Sequence, residues 1–378
     1  MAPAGPVDRE LQAPLPSCCP ECGGEIEHLR DDEQFQTELP EAKPVVTRFV
    51  VGVGRCKTCK RRIQGRHVEQ TSTALGAAAA QVGPFAHSFA AWLHYALGLS
   101  FGKSAQVLRH LGVPVTAGAL SSGAQSTGTA LVPLHQEIVA TVNRSAMVVA
   151  DETGWRVCGE RAWLWVTTSR EATAYNVAAG RGMEQATELL NEDFFGVLVR
   201  DGWGVYRQFT EATHQTCVAH LLRRCREMAA DNPDWARAAP RGVKDILTRA
   251  LDARDLPRRT RRAVAADLKE LVELLGEAAH PYDANRRLMA HLANELDALF
   301  TFLTHDDVDA TNWRAEQAIR PAVVNRKVWG GNRTWRGAAT QGRMMSVLRT
   351  AVQRGVDPID FLVQLARAPN PAAVSLFT

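Results

Sequence analysis

The chain has 378 residues, 46% of them hydrophobic and 22% charged, proportions ordinary for a soluble globular protein. Its length accommodates roughly two to four modules with a sizeable core. A formal net charge of +3 is too small to argue for a nucleic-acid partner by itself, so any such argument rests on where the charge lies.

Residues 1–16 are rich in proline and carry acids but no apolar run, which reads as a disordered N-terminus and excludes a secretory signal. Without an export signal a reducing compartment is expected, where clustered thiols point to metal rather than to disulfides. Five of the eight cysteines, Cys18, Cys19, Cys22, Cys56 and Cys59, lie near the start; Cys158, Cys217 and Cys225 follow later. Cys19-Pro-Glu-Cys22 and Cys56-Lys-Thr-Cys59 are two CxxC knuckles, the spacing of a structural tetrahedral zinc site in a module spanning 17–68. Four thiolates leave no open position for catalysis. Cys18 can compete with Cys19 as ligand, and incidental thiols are the plain alternative. The β-like run at 45–51 predicts a strand in this module, and a hairpin with an extended loop at 31–44 would span the gap between the knuckles.

Residues 72–143 read as helical, punctuated at Gly83-Pro84 and at Gly112-Val113-Pro114. Residues 70–102 carry no charged side chain, long enough for a membrane span. However, Gln81, Gly83, Pro84, His87, Ser88 and His94 and an Ala-rich composition favour a buried helix pair and no membrane. A helix at 103–111, a turn at 112–115 and a second helix from the N-cap Thr116 to about 127 form a helix-turn-helix candidate. Ala105, Leu108, Val113 and Leu120 would be its inner face, and Ser121, Ser122, Gln125 and Ser126 would reach bases or phosphates. That second helix lacks Arg and Lys, so a plain helical hairpin fits as well.

The pattern then switches. Strands are predicted at 147–150, 162–168, 173–178 and 197–199, with a helical stretch at 183–191, which together suggest an α/β sheet domain. From 218 to about 304 the chain reads as helical, with helix-period Leu and Val spacing at 260–279, an insertion placed at 226–300. A last helix at 358–366 starts from the N-cap Asp357 with Pro358 in its first position.

Three acids stand out against this pattern. Asp151 follows the apolar run 146–150, Asp201 follows 196–200, and Glu316 lies in the helical segment 312–321. An Asp at the end of a strand can leave the core, and two such carboxylates with one from a helix can hold a pair of hard divalent ions, Mg²⁺ or Mn²⁺, for phosphodiester chemistry. Asp151 would bridge both ions, Asp201 would hold one and Glu316 the other, while Glu152 on the opposite face of the strand would point away. Taken singly, each acid could equally be an N-cap or a surface residue. Between 314 and 349 stand Arg314, Arg320, Arg326, Lys327, Arg333, Arg336, Arg343 and Arg349, with Glu316 the only acid. Trp329 and Trp335 are interleaved, and Trp313 just precedes. Cations that neutralise phosphates beside indoles that stack on bases make this the best nucleic-acid footprint in the chain; a solvated charged face with buried tryptophans is the alternative. A second basic run at 254–262 is ambiguous. Trp155 and Trp203, each just beyond an Asp, are expected to wall the site.

Four motifs, Asp151-Glu-Thr-Gly-Trp155, Asp201-Gly-Trp-Gly-Val-Tyr206, Cys217-Val-Ala-His220-Leu-Leu-Arg-Arg224 and Asn312-Trp-Arg-Ala-Glu316-Gln-Ala-Ile-Arg-Pro321, resemble the transposases of the insertion-sequence-66 type. Arg326-Lys327, Trp329-Gly330, Asn332, Gly337 and Gly355-Val-Asp-Pro358 extend the resemblance to nearly the whole chain from the knuckles on. It implies a DDE transposase with a ribonuclease-H-like α/β catalytic domain at 144–225 and 301–350, interrupted by the helical insertion and followed by a helical tail at 351–378. It implies Asp151, Asp201 and Glu316 as the metal-binding triad, with two Mg²⁺ or Mn²⁺ ions. Cys217 and His220 would be a CxxH signature supporting the site, although a helix packing His220 against the core is an open alternative, and Arg320 would assist. Arg314, Arg326, Lys327, Trp329, Arg333 and Arg336, with Ser121 and Gln125, would contact DNA. Expected partners are transposon ends, target DNA, further copies of the chain and accessory proteins, at the nucleoid in a bacterial cytoplasm. Members usually carry a coiled-coil or basic stretch ahead of the zinc module, where this chain has residues 1–16. The expected activity is strand cleavage at transposon ends followed by 3′-OH strand transfer. An inactive, transposase-derived DNA-binding protein and a ribonuclease-H-like nuclease are the alternatives.

Overall fold

The computed structural model describes residues 6–38, 43–70, 72, 74–75 and 81–377. The chain divides into two units, Met1–Val46 and Thr47–Thr378. Parts of the expected disordered terminus (1–5), of the long loop (39–42), of the helical segment (73, 76–80) and of the tail (378) lie outside the described residues, as does residue 71.

In the first unit the feature of interest is the turn from Cys19. The Cys19 amide donates to the Gly24 carbonyl at 2.9 Å and the Gly23 amide donates back to the Cys19 carbonyl at 2.8 Å. Gly23 has φ +72°, a left-handed conformation that glycine adopts without a Cβ penalty.

The second unit opens with a hairpin of β1 (Val53–Arg55) and β2 (Arg62–Gln64), antiparallel with Gly54 opposite Ile63. The predicted strand at 45–51 is not formed: Val45, Val46 and Val50 stay exposed, and the ladder begins two residues later, where Arg62–Gln64 supplies a partner. Its loop repeats the first knuckle, with the Cys56 amide donating to the Arg61 carbonyl (2.9 Å) and the Lys60 amide to the Cys56 carbonyl (3.0 Å).

Four helices follow: α1 (Pro84–Tyr95), α2 (Phe101–His110), α3 (Ala117–Ala130) and α4 (Val132–Asn143). Pro84 occupies the first turn of α1, and the Thr116 hydroxyl accepts from the Ala119 amide at 3.2 Å to start α3. A small core of Ala90, Ala105, Leu108, Val115 and Leu120 joins α1 to α3. Among the described residues no helix is long and apolar enough to cross a membrane.

The sheet comprises β3 (Met147–Val157), β4 (Glu160–Thr168), β5 (Thr173–Ala178), β6 (Val197–Arg200) and β7 (Thr213–Thr216), with the single turn α5 (Met183–Ala186) between β5 and β6. Its order is β5-β4-β3-β6-β7. β4 runs antiparallel to β3 and β5, whereas β6 and β7 run parallel to β3. The centre of the sheet is covered on both faces, which is why Val148, Val149, Leu198 and Val199 form unbroken apolar runs. β3 does not stop at Ala150: Thr153, Trp155 and Val157 pair with Leu164, Ala162 and Glu160, so the ladder carries Asp151 in mid-strand rather than at a strand's end.

Helices α6 (Val218–Asp231), α7 (Ala238–Asp252), α8 (Arg258–Glu277), α9 (Asp283–Glu295) and α10 (Thr301–Thr304) build a second core around Leu221, Val243, Leu247, Leu268, Leu288 and Leu303. That core starts at Val218 and reaches Ala310, wider than the segment 226–300 read from the sequence, because α6 and α10 each bury an apolar face in it. The chain then returns to the sheet through α11 (Trp313–Trp329) and α12 (Trp335–Gln353). α12 lies on β5, where Ser346 and Thr350 hydroxyls accept the Tyr175 and Thr173 amides. α13 (Pro358–Arg367) closes the chain, its first turn capped by the Asp357 carboxylate accepting from Ile359 and Asp360 amides.

Candidate active site

The parallel register of β3 and β6 pairs Val149 with Val199. Two residues further along the chain from each stand Asp151 and Asp201, at the same offset and therefore neighbours where β6 ends and β3 runs on past it. Asp201 lies just past the end of β6, and its Oδ1 accepts the Trp203 amide at 2.8 Å, fixing the turn. The third acid comes from α11, which packs on β3 and carries Glu316 in its first turn. Asn312, at the start of that helix, aims its amide nitrogen at Asp151 Oδ2 (3.4 Å). His220 Nε2 stands 3.7 Å from Glu316 Oε1, and the buried Cys217 sulfur accepts the Asn312 amide at 3.4 Å. The CxxH pair is thus tied to the acids, with Cys217 as the N-cap position of α6.

Burial pushes the Asp151 carboxyl up to about 8, and the negative charges of Glu152, Asp201 and Glu316 add to that rise. Among the described residues no three His, Cys, Asp or Glu side chains converge closely enough to ligate one ion. The donor set nevertheless fits divalent ions: oxygen ligands that repel one another across a partly buried cleft are short of positive charge, and a hard cation supplies it. At the knuckles, backbone amides of Cys22 and Glu21, and of Cys59 and Thr58, lower the Cys19 and Cys56 thiols, which favours the thiolates that zinc requires. The knuckle geometry begins at Cys19 rather than at Cys18.

Glu152 points to the other face of β3, as its position in the strand requires, and is buried there against the Tyr206 hydroxyl and the Arg181 guanidinium. Arg181 in turn lies over the rings of Trp163 (4.6 Å) and Trp203 (4.0 Å). A cavity of about 320 Å³ adjoins Asp201, lined by Trp203, His220, Arg224 and His291 among others. His291 comes from α9 in the helical insertion. Sequence reasoning missed His291 because the contact it makes is nearly ninety residues distant along the chain, with no local pattern to mark it.

Not every residue singled out in the sequence faces this cleft. Trp203 is 38% exposed and walls it, but Trp155 is buried: its indole donates to Asn332 Oδ1 at 2.7 Å and meets Trp329 edge-on. Trp329 packs inward as well, between Trp155 and His94, so it is placed as a packing residue rather than a base-stacking one. Arg326 gives its guanidinium to the Gly154 carbonyl, Arg314 pairs with Asp309 at 2.6 Å, and Arg343 bonds the Gly128 carbonyl. Arg320, Lys327, Arg333 and Arg336 are exposed, and among the described residues none of the four forms an ion pair. Ser121 and Gln125 are half-buried on α3, whose Leu120, Ala124 and Gly128 stripe faces inward.

Residues 79–340 match the transposase IS66 family, and residues 16–60 match the zinc-finger binding domain of transposase IS66. The uncharacterized protein y4qI of Sinorhizobium fredii is 27% identical over 315 residues, 71% of this chain and 56% of its own length. A second uncharacterized protein of the same organism, y4jO, is 23% identical over 161 residues, 42% of this chain and 49% of its own. The chain therefore spans about half the length of the curated relatives it matches. With the family match covering more than half of its residues, the chain belongs to the IS66 family of transposases.

Proposed function

We propose that this chain is a DDE transposase that cleaves DNA at transposon ends and joins the freed 3′-OH to target DNA. The observation that carries the reading is the placement of Asp151 and Asp201 at one offset on neighbouring parallel strands, with Glu316 brought to them by α11. The strand order β5-β4-β3-β6-β7, with β4 alone antiparallel, supports a ribonuclease-H-like catalytic domain.

In the first step a water oxygen bonds to the scissile phosphorus and the P–O3′ bond breaks, leaving a 3′-OH and a 5′-phosphate. In the second, that 3′ oxygen bonds to a target phosphorus, a target P–O3′ bond breaks, and the proton passes to the new 3′ oxygen. Asp151 would hold both metal ions, Asp201 one and Glu316 the other; when bound, Mg²⁺ or Mn²⁺ supplies Lewis-acid activation of the attacking oxygen and charge neutralisation at phosphorus. Asn312 would hold the Asp151 carboxylate in orientation, and His220, 3.7 Å from Glu316, would support that third acid. Trp203, which lines the cleft, would limit water there. Exposed Arg320, Lys327, Arg333 and Arg336 would carry the DNA backbone, α2 and α3 (within 72–143) would add a helix-turn-helix contact through Ser121 and Gln125, and Cys19, Cys22, Cys56 and Cys59 would bind structural zinc in a module at 17–68. Joining two ends calls for at least two copies of the chain.

The test is nicking and strand joining with Mg²⁺ or Mn²⁺ on DNA carrying the element's ends, wild type against Glu316→Gln. The expected result is loss of both reactions in the variant with DNA binding retained, the drop being on the order of 10³-fold or more for a lost metal-binding carboxylate. A wild-type protein that binds the ends and cuts them under neither metal would overturn the reading in favour of a DNA-binding protein.

A further inference from the structure

Glu295 is fully buried, and it belongs to the last turn of α9 in the helical insertion, far along the chain from the catalytic strands. Its Oε2 takes the Arg200 guanidinium and the Thr216 hydroxyl, and its Oε1 takes Arg207 at 2.8 Å. Arg200 is as buried as Glu295, and the same Nη1 donates to Thr216 Oγ1 at 2.9 Å and to the backbone carbonyl of Asp201 at 3.0 Å. A desolvated ion pair contributes little net stability, so stability alone does not account for two charges sealed beneath the sheet. What the pair does reach is the peptide carrying Asp201.

The other side of Asp201 is held by the same helix. His291, one turn before Glu295, lies against Gly202 so closely that a Cβ there would collide with the imidazole. Glycine at 202 is what lets the ring approach. α9 therefore touches the Asp201 turn twice, through Arg200 on one flank and at Gly202 on the other.

We propose that Glu295 is a positioning residue for Asp201: acting through Arg200, it fixes the carbonyl and hence the carboxylate that would ligate metal, making the helical insertion part of the catalytic apparatus. This rests on the metal-binding reading of Asp151, Asp201 and Glu316. Outer groups that orient metal ligands commonly change affinity by about 10- to 100-fold when removed.

The experiment titrates the zinc-loaded full chain with Mn²⁺ by calorimetry, well below the melting temperature of every variant, alongside circular dichroism. Wild type, Asp151→Asn, Glu295→Gln and the double variant Arg200→Met with Glu295→Leu are compared. The double variant removes both charges together, so neither is left unpaired and the fold is expected to survive even where Glu295→Gln does not. The expected result is Mn²⁺ binding that Asp151→Asn abolishes and that the folded Glu295 variants weaken by about 10-fold or more. A merely structural pair would lower the melting temperature and leave Mn²⁺ affinity unchanged, which overturns the inference while sparing the active-site reading. Wild type that binds no Mn²⁺, or binds it equally with Asp151→Asn, overturns the active-site reading and this inference with it.

Discussion

Gly202 and His291 offer a direct test of how tightly the Asp201 turn is held. A methyl group at 202 would stand 2.5 Å from the imidazole, but the ring borders the cavity and can swing into it, so the overpacking cost falls at the low end, about 1 kcal/mol. Gly202→Ala is therefore expected to lower the unfolding free energy by that amount, read as the shift in denaturant midpoint multiplied by the m-value, and Gly202→Ala with His291→Ala to recover part of it, since removal of the ring makes room. Additive losses in the double variant would show that the two positions do not share the contact. Glu295 gives a pH signature. Burial alone would push its carboxyl up, but Arg200, Thr216 and Arg207 outweigh burial and hold it below the usual glutamate range. The unfolded chain then binds the proton more readily than the folded one, so the stabilisation is present above about pH 4.3, the ordinary glutamate value, and is lost as pH falls through the lower folded value. Denaturant midpoints measured from pH 6 downward are expected to fall more steeply for wild type than for Glu295→Gln; parallel curves would mean that the network does not discriminate the two protonation states.

At the scale of elements, β1 and β2 have three residues each and expose nearly all of them, and a two-stranded hairpin of that size does not stand alone in water. Zinc held by the knuckle thiols would supply the missing free energy. Purified chain is expected to carry about one zinc; Cys56→Ser or a chelator should abolish amide protection at 53–64 while leaving β3 and β6 protected. Retained protection after zinc loss would show that the hairpin folds without metal. Several elements were legible because their signals are local: Thr116 and Asp357 cap the helices they precede, and the apolar run before Asp151 announces a buried central strand. Others were hidden for physical reasons. β3 continues through Glu152-Thr-Gly, which has neither apolar alternation nor strand propensity, because β4 supplies the ladder. β7 is Thr-His-Gln-Thr, a strand made by its neighbours: Gln215 is buried only because the helical insertion covers that edge, donating the Phe302 amide and accepting at the Leu299 carbonyl. The pattern around the three proposed acids is local and legible in the sequence, while the contacts that Glu295 makes with Arg200 and His291 with Gly202 are not, since they come from a helix with no motif of its own.

At the scale of the whole molecule, a net charge of +3 conceals an uneven distribution. Glu316, Arg320 and Lys327 fall at i, i+4 and i+11 on α11 and so share a stripe, which leads from the acids along the helix toward Arg333, just before α12, and Arg336 in its first turn. A DNA strand lying along this stripe would release about 0.9 counterions for each phosphate that a cation neutralises. Replacing Arg320, Lys327, Arg333 and Arg336 by Ala together is thus expected to reduce the slope of log affinity against log salt by about 3–4 units, measured by fluorescence anisotropy on duplex DNA. Arg326 serves as the internal control. Its guanidinium is spent on the Gly154 carbonyl of β3, so Arg326→Ala should destabilise the fold and leave the salt slope nearly unchanged. The reverse result, a slope lost with Arg326 and kept without the four exposed cations, would place the DNA on another face, such as the basic start of α8. A charge pattern that the net total hides would then have been read on the wrong helix, even with the three acids correctly placed.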